Sequence, residues 1–461
     1  MTPCDCWRRL ACENSGKACY MENHQEVTED PAKGNHADAD PAPIHRRFGA
    51  LWTNTDFLKF WAGETVSLFG AQVSILGLPL AAILVLHAGP EQVGVLRALQ
   101  LLPYLFLALL FGILADRRGR RPLMIIANGA RAVLIGLVPI LAAVHQLRIS
   151  LLYVIALFVG AGAVLYDVCW QSYVPAIISD RQQMLEANSK LGTSSSAADV
   201  TGPGLTGALV QALTAPYALA ANAVTYGLSV ISLLTIRTRE TVLNVPSEQR
   251  NLFQSAREGL SWVFGNRYLR ALALLGGSYN FFFTFIETDF LVYATRSLSM
   301  RPSAIGLVLS IGGIGGLIGA MLGSILSNRF GVGVVYSAGV LVGFAAPILI
   351  PLASGPRLAV LATLSCSFFL TGIGIGSANV IVLSLRQSIT PPQLMGRMNA
   401  TMRMLVYGLA APGSITGGLL ADSLGLRAAL WVAGICSILA VAPLFRSGIP
   451  RLKVLPGPAM V

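Results

Sequence analysis

A chain of 461 residues that is 54% hydrophobic and only 12% charged, with a mean hydropathy of +0.65, is too apolar to be soluble at that length. Its formal net charge of +11 comes from arginines gathered at the ends of apolar runs. That distribution excludes a basic nucleic-acid-binding domain and points to membrane topology instead. Seven cysteines, an odd number, offer no disulfide framework, and Cys169, Cys366 and Cys436 read as small buried hydrophobes in or beside apolar runs.

Residues 1–54 are polar and without periodicity, and are expected to form a disordered cytosolic tail. Cys4, Cys6, Cys12 and Cys19, followed by His24 and His36, do not have a usual tetrahedral zinc spacing, so no metal is expected. Translation from Met21 instead of Met1 would remove all four cysteines, and the sequence leaves the choice open. The tail lacks the basic, apolar and small-residue order of a secretory signal, which makes the first span its own insertion signal.

The first span is expected from Phe57 to Leu86, with Trp52 and Trp61 near headgroup level and Glu64 and Gln72 inside it. The second, Val93 to Leu114, carries Arg97, and the third, Pro122 to Val144, carries Arg131. Each approaches the ~20 residues that cross a bilayer. Between them lies Gly112-Ile-Leu-Ala-Asp116-Arg117-Arg118-Gly119-Arg120-Arg121, a tight basic turn that the arginines hold on the cytosolic side. The fourth span ends near Asp167 and Tyr173, the fifth contains Asp199 and Gly202-Pro203-Gly204, and the sixth runs from Tyr217 to Leu234. Residues 55–236 thus form an N-terminal bundle.

Charges return over 237–266, a cytosolic linker in which Leu252, Phe253, Ala256, Leu260 and Val263 recur at helical spacing. An amphipathic helix on the membrane surface is expected there. Spans seven to twelve follow over 267–446, centred near residues 282, 315, 342, 370, 408 and 435, and 447–461 is a second cytosolic tail. The second half repeats the first: Leu326-Ser-Asn328-Arg329-Phe-Gly331 mirrors Leu114-Ala-Asp116-Arg117-Arg-Gly119, Asn399 mirrors Asn188, and Pro412-Gly413 mirrors Pro203-Gly204, in the same order and at nearly the same offset. Gly315, Gly319 and Gly323, and Gly312, Gly316 and Ala320, form small-residue stripes suited to close helix packing. With the hairpin inside, most arginines fall inside; Arg148, Arg296, Arg301, Arg357 and Arg427 fall outside, which places both termini in the cytoplasm.

The hairpin matches Gly-x-Leu-Ala-Asp-Arg-x-Gly-Arg-Arg and resembles the signature between the second and third helices of the major facilitator superfamily. Further segments resemble its enterobactin-exporter and macrolide-efflux-like branch: Phe60-Trp-Ala-Gly-Glu-Thr-Val-Ser-Leu-Phe-Gly70, Leu185-Glu-Ala-Asn188, Arg257-Glu-Gly-Leu260 and Thr390-Pro-Pro-Gln-Leu-Met-Gly-Arg397-Met-Asn399. The resemblance implies an all-α integral membrane protein of twelve transmembrane helices in two pseudo-symmetric six-helix bundles, working as a monomer in the cell membrane. It also implies that Asp116 ties the first bundle to the start of span eleven near Asn399 in one conformation, with Gly112, Arg117, Gly119, Arg120 and Arg121 as the gating hairpin. Asp167 is a structural partner at that depth, and Gly202-Pro203 a bending point. Two departures stand out: Asn328 replaces the carboxylate in the second hairpin, and Ala198 interrupts the antiporter-type glycine-proline motif.

No phosphate loop and no His-Glu-x-x-His are present, and Gly202-Pro-Gly204-Leu-Thr-Gly207 lies in a membrane helix with no strand before it, so no enzyme activity and no cofactor are expected. The reading is a secondary active transporter, coupled to H+ and exporting amphiphilic small molecules such as a drug or a siderophore. Facilitated metabolite uptake and a transporter-shaped sensor or scaffold are the alternatives. Asp199, near the midplane by its distance along span five, and then Glu64 are expected to carry the coupling proton. Arg97 and Arg131 read equally as substrate contacts or paired structural charges. Glu287 and Asp289 sit toward the outer end of span seven, where a solvated vestibule would hold them.

Overall fold

The computed structural model describes residues 50–178, 180–238 and 252–456. The tail cysteines and histidines, residues 239–251 of the linker and the last five residues lie outside the described residues. So do the side chains of Asp116 and Arg117, and with them the expected gating contact.

The described residues of 50–456 are helical throughout, with no strand. The first half holds α1 (Thr55–Leu84), α2 (Pro90–Arg118), α3 (Arg120–Ala143), α4 (Ile149–Ile177), α5 (Arg181–Leu213) and α6 (Ala215–Thr235). After α7 (Leu252–Gly265) come α8 (Arg267–Val292), α9 (Pro302–Phe330), α10 (Val332–Ala345), α11 (Arg357–Ile389), α12 (Met395–Gly408), α13 (Ala410–Leu424), α14 (Leu426–Leu439) and α15 (Ala442–Arg446). Prolines explain the broken spans. Pro412 cannot donate to Gly408, which separates α12 from α13, and Pro347 and Pro351 turn the end of α10 into a 3-10 segment, Ala346–Leu352.

Among the described residues, ten segments are long and apolar enough to cross a membrane. α5 has the length, 33 residues, but falls short in apolarity, whereas α2, 29 residues long, carries an uncharged apolar run from Ala98 to Ala115 and reads as a further crossing. Both are helices through which the first half meets the second, α2 against α13 and α5 against α9.

The repeat is visible in the backbone. Gly119 and Gly331, the matched hairpin glycines, turn with φ of 80° and 88°, ψ of 149° and 152°, a left-handed conformation that favours glycine. Gly425 makes the same turn between α13 and α14. In the first hairpin, Arg121 donates to the carbonyls of Leu233 (2.9 Å) and Leu234 (3.1 Å), satisfying the open C-terminus of α6.

The apolar core shows how the halves meet. At the end away from the basic hairpin, one cluster runs through both halves, from Leu76, Leu80 and Val93 to Phe285, Phe290, Ile305 and Leu430. At the hairpin end the core divides: Phe57, Met124, Tyr173 and Leu233 belong to a first-half cluster, and Leu269, Tyr336, Leu385 and Met398 to a separate second-half cluster.

Both glycine stripes of α9 face α11. A Cβ on Gly319 would stand 2.7 Å from Ile373 Cα, and one on Gly372 would stand 2.7 Å from the Gly316 nitrogen. Gly319→Val is therefore expected to lower stability by about 2 kcal/mol or more, because backbone cannot yield as a side chain can. The thermal midpoint of the purified protein in detergent checks this; an unchanged midpoint would mean that the helices pack less closely.

Candidate functional site

The first half encloses a polar network built from four helices. Glu64 on α1 is 3% exposed and accepts a hydrogen bond from the Tyr166 hydroxyl of α4 at 2.5 Å. Arg131 on α3, 6% exposed, donates to Asn128 Oδ1 at 3.1 Å and to the Tyr226 hydroxyl of α6, with its guanidinium 4.0 Å from the Tyr226 ring centre. Asn128 in turn donates to Ser229 at 2.9 Å and Ser67 at 3.4 Å. Glycine makes the space: a Cβ on Gly162 would come within 2.8 Å of Arg131 Cγ. Glu64 and Arg131 each have a tyrosine partner instead of one another.

Asp167 accepts a hydrogen bond from the Tyr104 hydroxyl of α2 at 2.5 Å. Asp199 differs from its expectation more sharply. Its side chain is exposed and accepts from Gln72 at 2.8 Å, on the stretch of α5 where Val200 and the Asp199 carbonyl meet Gly313 of the second half. It is partnered by Gln72 and so is not isolated. Cys366 likewise is exposed on α11 instead of buried, whereas Cys169 is buried.

Across the halves, Arg97 of α2 pairs with Glu287 of α8 at 2.8 Å, and also donates to the Ile75 carbonyl (3.3 Å) and to Gln100 (3.2 Å). Arg296 reaches the carbonyls of His87 and Ala88, both at 2.7 Å. Ser303 bonds Gln211, and Ser310 accepts from the Gly204 nitrogen at 2.9 Å. All of these lie toward the end away from the hairpin. Glu287 and Asp289 do not sit in a solvated vestibule: Glu287 is paired, and Asp289 is 0% exposed with no hydrogen bond to either carboxylate oxygen. The side-chain direction on α8 decides this, since two residues apart on a helix point to different faces.

At the hairpin end the second half has its own polar contacts. Arg397 of α12 pairs with Glu258 of α7, and Arg386 donates to Asn399 at 2.8 Å. No group of three or more His, Cys, Asp or Glu that could hold a metal occurs among the described residues. Of the functional groups not foreseen, Tyr104, Tyr166 and Tyr226 carry no local signal. The aromatic run Tyr279-Asn-Phe-Phe-Phe-Thr-Phe285 was a signal, and its Tyr279, Phe282 and Phe283 line a narrow crevice against Phe344 and Phe368.

The sequence profile of the Major Facilitator Superfamily matches residues 60–413 and 290–459. The chain is 25% identical over 380 residues to the multidrug efflux pump Tap of Mycobacterium tuberculosis (strain ATCC 25618 / H37Rv), covering 78% of this chain and 85% of that protein. It is 22% identical over 385 residues to macrolide efflux protein A of Streptococcus pyogenes, covering 80% and 90%. In structure it superposes with a TM-score of 0.67 and 16% identity on a bacterial homologue of the iron transporter ferroportin in an inward-facing state, over 85% of this chain and 98% of that one. With the two-half helical fold and its repeated hairpin, the chain belongs to the major facilitator superfamily, as a multi-pass membrane transporter.

Proposed function

We propose that the protein is a proton-coupled exporter of amphiphilic small molecules in the bacterial cell membrane, working by alternating access with both termini in the cytoplasm. The observation that carries the alternating-access reading is the core itself: fused through both halves at one end and divided at the other. Two rigid bundles that share a core at one end only can rock about it. The arginine asymmetry supports a cytoplasmic side for the divided end, which holds the basic hairpin, and on that reading the halves part toward the inside. Efflux pumps among the relatives support export as the direction, and the buried Glu64 supports a proton as the coupling ion.

The test uses inverted membrane vesicles, whose lumen corresponds to the outside, and a panel including ethidium and erythromycin. An exporter exchanging protons for substrate accumulates its substrate faster when the lumen is acid. Accumulation indifferent to the imposed gradient would favour facilitated diffusion, and absence of flux for the whole panel would favour a metabolite carrier or a sensor.

A further inference from the structure

The start of α5 is rich in hydroxyls, Ser189 and the run Thr193-Ser-Ser-Ser196, and carries Lys190 among them. With Trp52, Trp61 and Thr65 from the start of the first span, they border a groove with about 350 Å3 of water-sized space. Ser194 fixes its floor, accepting from Trp61 Nε1 at 3.0 Å and from the Thr65 hydroxyl at 2.9 Å. Lys190, Thr193 and Ala197 lie on one flank of the α5 row that packs on α1, and Asp199 lies on the other. α1 meets α6 through Gly63 and Gly70, and α4 through Glu64. Since α1 and α5 run parallel, the Lys190 flank is the one toward α6, on the outer side of the bundle where lipid lies. Trp52, 58% exposed, sets the groove at headgroup depth.

The groove offers donors. The Lys190 ammonium stands 3.7 Å from the centre of the Trp52 ring and 5.6 Å from that of Trp61. Glu186 Oε1 is 3.6 Å away, beyond hydrogen-bond length, and Glu186 does not line the groove. Lys190 is thus the ionisable group that lines it, and among the described residues it donates no hydrogen bond. Ser194, 6% exposed, accepts two hydrogen bonds and gives its own proton to no described residue. A positive charge and buried hydroxyl protons without acceptors select an anion with several oxygens. Tryptophan rings beside them suit an amphiphile, with its polar head in the groove and its chains along the helices.

We propose that this groove holds the phosphate of an anionic phospholipid, with Lys190 and Ser194 as its donors. That the lipid comes from the inner leaflet rests on the cytoplasmic assignment of the hairpin end; binding does not. A lipid seated between α1 and α5 braces the helix that meets the second half at α9, so it bears on the element that has to part from its partner.

The experiment titrates the purified full-length protein in detergent with phosphatidylglycerol and reads the first bound lipid by native mass spectrometry. Lys190→Gln is expected to weaken that binding roughly fivefold or more. Glu186→Gln removes the nearby negative charge and is expected to tighten it several-fold. Lys59→Gln loses a positive charge at the same end of α1 but outside the groove, and should leave binding unchanged. Diacylglycerol with the same chains, which lacks the phosphate, should bind no differently to the protein and to Lys190→Gln. Equal weakening by Lys59→Gln would reduce the effect to diffuse surface charge and overturn the proposal. Displacement of the lipid by millimolar inorganic phosphate would make the site one for a free ion, and overturns it as well. Weakening by Glu186→Gln, or phosphatidylcholine bound as tightly as phosphatidylglycerol, would mean a zwitterionic occupant and has the same consequence. Should Lys190→Gln not fold, the Glu186→Gln tightening and the preference for phosphatidylglycerol over phosphatidylcholine still decide it. Lipid binding in detergent needs neither flux nor a gradient, so loss of the export reading would leave this site standing.

Discussion

Glu64→Gln is expected to cut gradient-driven substrate accumulation by roughly tenfold or more while leaving exchange of substrate for substrate across the membrane intact. The argument starts from burial. Glu64 is 3% exposed, and Tyr166 is its hydrogen-bond partner. Glutamine keeps the volume and an acceptor oxygen for Tyr166 but cannot gain or lose a proton, so it tests titration and not packing. The same network holds Arg131 against Tyr226, on the helix that packs against α1. A charge appearing or vanishing at Glu64 therefore changes the field around a buried guanidinium, and that is a route from protonation to helix position. Asp199→Asn should have the smaller effect, because the Asp199 side chain is exposed and bonded to Gln72. Substrate-induced proton movement in proteoliposomes separates the two. Full coupling in the Glu64→Gln, Asp199→Asn double variant would move the search to Asp289, buried in the second half with no hydrogen bond to its oxygens.

The contrast between Glu64 and Asp199 shows where sequence reasoning stops. Counting 1.5 Å per residue along α5 places Asp199 in height, but its exposure depends on rotation about the helix axis, which neighbouring helices set. The hairpins were legible because the same turn occurs twice, and only glycine suits the φ of 80° and 88° found at Gly119 and Gly331. Arg97 and Glu287 were both visible as charges in apolar runs. Their pairing was not, since 190 residues separate them and nothing local links the two. The polarity of α5 behaved similarly: the helix packs along α9 of the opposite half, a contact that only the tertiary structure reveals.

Gly306→Val is expected to prevent closure of the end away from the hairpin and to abolish transport. At this crossing, α5 and α9 touch through backbone. A Cβ on Gly306 would meet the Pro203 carbonyl and stand 3.1 Å from the Cα atoms of both Gly204 and Gly207. Gly94 and Gly418 make the parallel contact between α2 and α13, with a Gly94 Cβ only 3.2 Å from Gly418 Cα. Neither contact can absorb a branched side chain by a rotamer change, because the opposing atoms are main chain. The strain of about 3 kcal/mol falls only on the conformation in which these helices meet, shifting the balance toward the other by roughly 100-fold. The Gly202-Pro203-Gly204 segment thus also acts through what faces it, since Pro203 presents its carbonyl to a glycine of the other half. Labelling of Ser303→Cys by a membrane-impermeant maleimide reports the closure, since Ser303 bonds Gln211 across the same seam. In the Gly306→Val background that cysteine should label readily from outside, whereas Gly227→Val, where a Cβ meets nothing within 4 Å, should leave labelling and transport as they are. Retained flux in Gly306→Val would mean that the two halves do not need this contact to complete a cycle.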